Sequence, residues 1–213
     1  FCFSTITSMI IMLSMVGPAL LIPLYVQNAL GLSALLSGLV IMPGAIINGI
    51  MSVFTGKFYD KYGPRPLIFT GFILLVSCTF LLCFLKVDTS YTYLIVIYAI
   101  RMFAVSLLMM PINTTGINAL KTEDISHGTA IMNFGRVMAG SLGTALMVTF
   151  MSIGAQWVVS SSEHASKEMI QRQSVAVGVD VSFALVTVFV IIAFVLALFI
   201  KEPNHLTHNS RKV

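Results

Sequence analysis

The sequence predicts an all-α membrane protein that crosses the bilayer six times. Three observations carry that expectation. First, the ionisable residues are bunched. Phe1–Gly56 holds no Asp, Glu, Lys or Arg, and neither do Pro66–Leu85, Met102–Leu120, Val137–Ser162 and Val181–Ile200. An apolar run of about 18 or more residues is long enough to cross a ~30 Å hydrocarbon layer as a helix. Second, the runs are continuous rather than alternating. A spanning backbone must satisfy its own polar groups, and continuous runs do so as helices, not as barrel strands. Third, 57% of the residues are hydrophobic and 9% are charged, against ~25% charged in a soluble domain. A net charge of +4 from so few groups makes no nucleic-acid surface. The expected surroundings are a lipid bilayer, in the cell membrane.

The first span is expected at about residues 5–28. It bears Thr5, Ser8, Met9, Met12 and Met15, then Gly17-Pro18 and Pro23, which can bend it. Its polar end carries Gln27, a candidate for the intramembrane polar set. Ala29–Ser33 is too short for anything but a tight turn, so the second span follows at about 34–56. Gly44, Asn48, Ser52 and Gly56 recur there at four-residue spacing, and small residues so spaced let helices approach closely in membranes. Charges then crowd at Lys57, Asp60, Lys61 and Arg65, in a compact turn. Asp60 among three cations should stay ionised and could pin the turn to another helix end. Gly63 can take a positive φ, and Pro64 and Pro66 open the third span at about 66–85.

The fourth span, about 91–120, holds Arg101 near mid-depth and Asn113 further on. The fifth, about 128–155, holds Asn133 and Arg136. An arginine at the bilayer centre costs roughly 2.5–3.5 kcal/mol on insertion scales, so it marks a bundle interior or a wet cavity. No acidic residue shares that depth. Backbone carbonyls, Asn113, Asn133, water or a group outside this chain must serve as partners. The fifth span also carries Gly135, Ala139 and Gly143 at four-residue spacing, beside Gly140. Residues 158–178, rich in Ser and charged groups, are expected to form the one long loop, with at most a short interfacial helix. The sixth span, about 179–200, shows no polar stripe, and residues 201–213 are left as a tail. Six spans place Lys57, Lys61, Arg65, Lys121, Lys201, Arg211 and Lys212 on one side, and Lys86, Lys167 and Arg172 on the other. Positive residues favour the cytoplasm, so both ends are expected inside and the Ser-rich stretch outside.

Catalytic and metal chemistry find little footing. Cys2, Cys78 and Cys83 have neither zinc-site nor disulfide spacing, and His127, His164, His205 and His208 fall in loops or the tail. Ala139–Gly143 lacks a His–Asp pair that could turn it into a nucleophile elbow. No enzyme, no metal and no cofactor are expected. The chain opens at Phe1 inside an apolar segment, with no start methionine, which reads as a portion of a longer protein.

Gly56, Asp60, Lys61, Gly63 and Arg65, set between the second and third spans, resemble the signature loop of the major facilitator superfamily. Pro64 stands where that loop usually has a basic residue. Pro23–Ser33 with Gly38 and Pro43, and Arg136–Ala145, are similar to the second half of its fourteen-helix drug:proton antiporters. The resemblance covers essentially the whole chain. It implies the C-terminal six-helix half of such a fold, residues 1–200, with the first half lying before Phe1. It implies that the first and fourth spans line a central cavity, the second and fifth contact the other half, and the third and sixth face lipid. The implied activity is secondary transport, with a proton gradient driving export of apolar or cationic amphipathic compounds. Arg101, Arg136, Gln27, Asn113 and Asn133 are then the candidate cavity groups. The proton-carrying carboxylate is expected in the first half. Two other readings stand beside this one: a non-transporting truncated module, and a carrier of a small metabolite.

Overall fold

The computed structural model describes residues 1–161 and 167–199. Six long helices carry the fold: α1 (Cys2–Asn28), α2 (Ala34–Tyr62), α3 (Pro64–Leu81), α4 (Tyr91–Asn118), α5 (Ile125–Ser161) and α6 (Lys167–Leu198). A 3-10 turn, Leu82–Phe84, extends α3, and another, Thr122–Asp124, precedes α5. No strand occurs among the described residues. All six helices are long and apolar enough to cross a membrane.

Local chemistry sets several boundaries. Ser33, extended, caps α2 by accepting from the Leu36 amide at 3.4 Å, satisfying one of the orphan donors of a helix start. Gly31 supplies the positive φ of 70° in the turn before it. The expected turn over 56–65 is tighter than the charges suggest. Residues 57–62 remain helical, and the chain reverses at Gly63 alone, with φ 78° and ψ 177°. A β-carbon resists that region. Pro64 then opens α3 at its first position, where a missing N–H costs nothing.

The expected loop at 158–178 is largely helix. Its residues 162–166 lie outside the described residues, as does the expected tail. On either side, α5 runs to Ser161 and α6 starts at Lys167. The polar composition marks where the chain leaves lipid, not where helix stops. At ~1.5 Å per residue the 37 residues of α5 measure about 55 Å, well beyond a ~30 Å hydrocarbon layer. α5 and α6 come into backbone contact at Gly154 and Gly178. Ser160 is exposed at the end of α5, which offers a test of orientation. A cysteine at Ser160, in a background lacking the exposed Cys2, should react with an impermeant thiol reagent applied outside the cell. Reaction only after permeabilisation would invert the topology.

The core is built by α1, α3, α4 and α6. Leu21, Ile22 and Tyr25 of α1 meet Phe72 and Leu75 of α3, Tyr98, Val105 and Leu108 of α4, and Phe183 and Val186 of α6. α2 lies on α4, and α5 on α1 and α6. These two are the outlying helices. In their most apolar stretches only 17% of α2 and 28% of α5 is buried, against 61% of α4 and 50% of α1. Leu35, Met42, Ile46 and Ile50 on α2, and Ile131, Phe134, Val137 and Leu142 on α5, stand open.

The small-residue stripes turn inward. Gly44 sits against Tyr98 and Met102, and Gly56 meets Met110, all on α4. On α5 a β-carbon at Gly135 would touch the Met9 sulfur at 3.0 Å, and one at Gly143 would press the Leu13 carbonyl oxygen at 2.9 Å. Gly140 lies over Val16, and Ala139 between them is buried. These residues seat α2 and α5 within this bundle, and the opposite, bulky faces are the ones left uncovered. α6 also departs from expectation. Val179, Ser182, Phe183, Val186 and Val190 are fully buried, and Thr187 nearly so. Ser182 donates to the Met147 carbonyl of α5 at 2.8 Å. Only its other face, through Val188, Ile191, Ile192 and Val195, is exposed.

Candidate functional site

Three helices line an open cavity of about 410 Å³. α1 contributes Met15, α2 contributes Asn48 and Ser52, and α4 contributes Ser106, Met109, Met110, Asn113 and Thr114. α1 and α4 therefore do line it, and α2 joins them. No charged side chain borders it. Its polar atoms are amides and hydroxyls, and its apolar ones include three flexible thioethers, which adapt to varied shapes. Asn48 donates to the Met102 carbonyl at 3.3 Å. Ser8 of α1 donates to Asn113 Oδ1 at 3.3 Å. Ser106 Oγ is buried and has no partner among the described residues. Such a wall offers hydrogen bonds without fixing a sign of charge.

Arg101 is fully buried. Its Nη2 donates to the carbonyl oxygen of Ser14 on α1. The reason lies four residues on. Pro18 sits inside α1 and has no N–H, so the carbonyl at position i−4, that of Ser14, loses its helical donor. Arg101 replaces that donor across the α1–α4 contact. The backbone carbonyl is thus the partner that the sequence required but did not identify. Nε and Nη1 of Arg101 remain unpaired among the described residues. Arg101 does not border the cavity. It bolts two of the cavity's walls together.

Arg136 and Asn133 come together on the open side of α5, the guanidinium Nη2 donating to Asn133 Oδ1. Asn133 is exposed and Arg136 half-buried, so this pair is apart from the cavity. Gln27 is also elsewhere. It is exposed at the end of α1 and donates to Ser37 Oγ at 3.0 Å, tying α1 to α2. Of the five candidate cavity groups, Asn113 alone borders the cavity. Asn48, Ser52, Ser106 and Thr114 were missed as polar groups there. Their signal was present, since all four are polar residues within charge-free spans.

At the other end, Lys57 and Lys61 lie over the rings of Phe54 and Tyr62, at 5.8 and 5.1 Å from the centroids. Asp60 and Lys61 are exposed on the last turns of α2. Asp60 forms no ion pair among the described residues.

Six helices long and apolar enough to cross a membrane, with a buried arginine between two of them, define a polytopic helical membrane protein. Residues 2–144 match the profile of the Major Facilitator Superfamily, and the chain belongs to that family. It is 37% identical over 185 residues to the lincomycin resistance protein LmrB of Listeria monocytogenes, covering 87% of this chain and 39% of that protein. The lincomycin resistance protein LmrB of Bacillus subtilis is 34% identical over 202 residues, 95% of this chain and 42% of the relative. The multidrug export protein EmrB of Escherichia coli is 29% identical over 134 residues, 62% and 26% respectively. The chain spans about two fifths of the length of the LmrB relatives it matches.

Proposed function

We propose that this chain is the C-terminal half of a proton-driven exporter of amphipathic drugs in the cell membrane. The observation that carries the reading is the cavity between α1, α2 and α4. It joins amides and hydroxyls to methionines without a charged group, which suits substrates that share amphipathic character rather than one shape. The relatives named for lincomycin resistance and multidrug export support it. The uncovered apolar faces of α2 and α5 are where a preceding half would complete the transport path. Proton coupling requires a group that loads and releases a proton inside the membrane. Asp88 lies in the Leu85–Asp88 connection and Asp180 beside it, outside the cavity, and the arginines do not deprotonate under ordinary conditions. The carrying carboxylate is assigned to the preceding half.

The test uses everted vesicles holding the protein as the cell makes it. Uptake of ethidium and of lincomycin should follow an imposed pH gradient and stop when an ionophore collapses it. Uptake indifferent to the gradient would sink proton coupling, and no uptake of any amphiphile would sink the exporter reading. In the same vesicles Asp60→Asn should slow turnover more than it weakens substrate binding. Asp60 forms no ion pair among the described residues, and its charge at the rim of α2 can bias one state of the whole transporter over another. An unchanged rate at matched expression would remove Asp60 from the mechanism.

A further inference from the structure

Ser106 is 4% exposed, and its Oγ has no hydrogen-bond partner among the described residues. A hydroxyl inside a membrane helix ordinarily returns to a carbonyl about one turn back, as those of Ser52, Thr55 and Thr79 do here. A buried hydroxyl left without a partner costs stability, so the one on Ser106 calls for an explanation. The residue stands in the wall of the cavity between α1, α2 and α4. That space is where a partner from outside the bundle would arrive.

The register of α2 on α4 brings further polar groups to the same wall. Asn48 donates to the Met102 carbonyl, and Gly56 meets the Met110 side chain. The offset between partners is the same in both pairs. The two helices therefore run parallel, and Ser52, midway along, comes level with Ser106. Ser52 donates to the Gly49 carbonyl at 2.7 Å, which leaves its Oγ as an acceptor. Asn48 gives its amide N–H to Met102 and keeps Oδ1 as an acceptor. Asn113 follows Ser106 by two turns on the same face of α4, about 10 Å along the axis. Its Oδ1 accepts from Ser8, and the Nδ2 hydrogens remain as donors. Donors and acceptors thus stand together beside the side chains of Met15, Met109 and Met110.

We propose that Ser106 is a substrate-recognition residue, and that it takes a hydroxyl or a secondary amide of an amphipathic substrate; the assignment rests on the exporter reading. Such a group donates and accepts at once. It can bond Ser106 in either sense and still reach Asn113 on one side or Ser52 and Asn48 on the other. A quaternary cation has neither N–H nor O–H, and gains only the apolar contact of the methionines.

The test measures equilibrium binding of radiolabelled probes to the purified protein, as the cell makes it, without a pH gradient. Chloramphenicol carries hydroxyls and a secondary amide, whereas tetraphenylphosphonium carries no hydrogen-bonding group. Ser106→Ala should weaken chloramphenicol by about three- to tenfold, the scale of one hydrogen bond, and leave tetraphenylphosphonium unchanged. Met109→Ala, which shortens an apolar part of the wall, should weaken both and so place both probes in this cavity. Without ligand, Ser106→Ala should melt no lower than the natural protein, because the hydroxyl has no partner to lose. Unchanged chloramphenicol binding in Ser106→Ala, equal losses for the two probes, or a lowered melting temperature would each overturn the role of Ser106. Undiminished binding of both probes in Met109→Ala would put them elsewhere and overturn it as well. Chloramphenicol held through Ser106 but never carried in vesicles would instead overturn the exporter reading and leave the binding site standing.

Discussion

Arg101→Ala should abolish most transport at matched expression, a loss of about tenfold or more, whereas Arg136→Ala should stay within about threefold. The difference comes from what each guanidinium holds. Arg101 is buried and supplies the hydrogen bond that Pro18 denies to the Ser14 carbonyl. Its removal leaves that carbonyl unpaired in an apolar interior, at about 1–3 kcal/mol, and opens a hole between α1 and α4. Arg136 donates to Asn133 on its own helix, on the open side, and little else depends on the pair. A second variant isolates the cause. Pro18→Ala restores the amide that would serve Ser14 within the helix, so Arg101→Ala combined with Pro18→Ala should recover part of the lost activity. Equal losses with and without Pro18→Ala, measured in vesicles with expression matched, would disprove the carbonyl argument. Normal transport by Arg101→Ala beside an inactive Arg136→Ala would reverse the assignment of the two arginines.

Gly178→Val should prevent stable assembly. α5 and α6 cross where a β-carbon at Gly154 would lie 2.9 Å from the Gly178 Cα, and one at Gly178 would run into the Met151 carbonyl oxygen. The obstacle is backbone, which cannot rotate aside as a side chain can. Overpacking of this kind costs about 1–3 kcal/mol even where some relaxation is possible, and valine adds two further carbons. The contrast lies at Gly49, where nothing stands within 4 Å of a β-carbon. Gly49→Ala should be neutral or stabilising by up to about 1 kcal/mol, through helix propensity. Thermal unfolding in detergent, followed by size-exclusion, compares them. A Gly178→Val protein with the natural melting temperature would show that the two helices are not in backbone contact.

The six spans were legible because their signal is an absence of charge, which the hydrocarbon layer enforces residue by residue. The segment 158–178 was misread for the same reason. Glu, Lys and Arg forbid lipid but not helix, so the continuation of α5 and α6 beyond the bilayer was invisible to a hydropathy argument. Gly154 and Gly178 were overlooked with it. The stripes Gly44–Gly56 and Gly135–Gly143 were visible as close-contact surfaces. Spacing, however, says that a neighbour comes near and not which neighbour, and here each stripe faces this bundle. Arg101 was recognisable as buried and in need of a partner. That partner could have been read from Pro18, because the carbonyl a proline releases is always four residues earlier. Arg136 and Gln27 were grouped with it on polarity alone, and polarity does not tell which side of a helix a residue occupies.

Prolines are unevenly shared among the helices. α1 holds Pro18 and Pro23, α2 holds Pro43 and α4 holds Pro111, whereas α5 and α6 run 37 and 32 residues without one. The walls of the central cavity are thus the jointed parts, and the pair outside it is a stiff, doubled rod fastened at the Gly154–Gly178 crossing. A rod pivoting at that crossing acts as a lever, and its long arm, the part of α5 from Ile125 to Gly154, sweeps further than the short arm that ends at Ser161. A fluorophore at the exposed Ile125, at the far end of that arm, would then magnify small rocking movements of the bundle that labels beside the cavity would scarcely register.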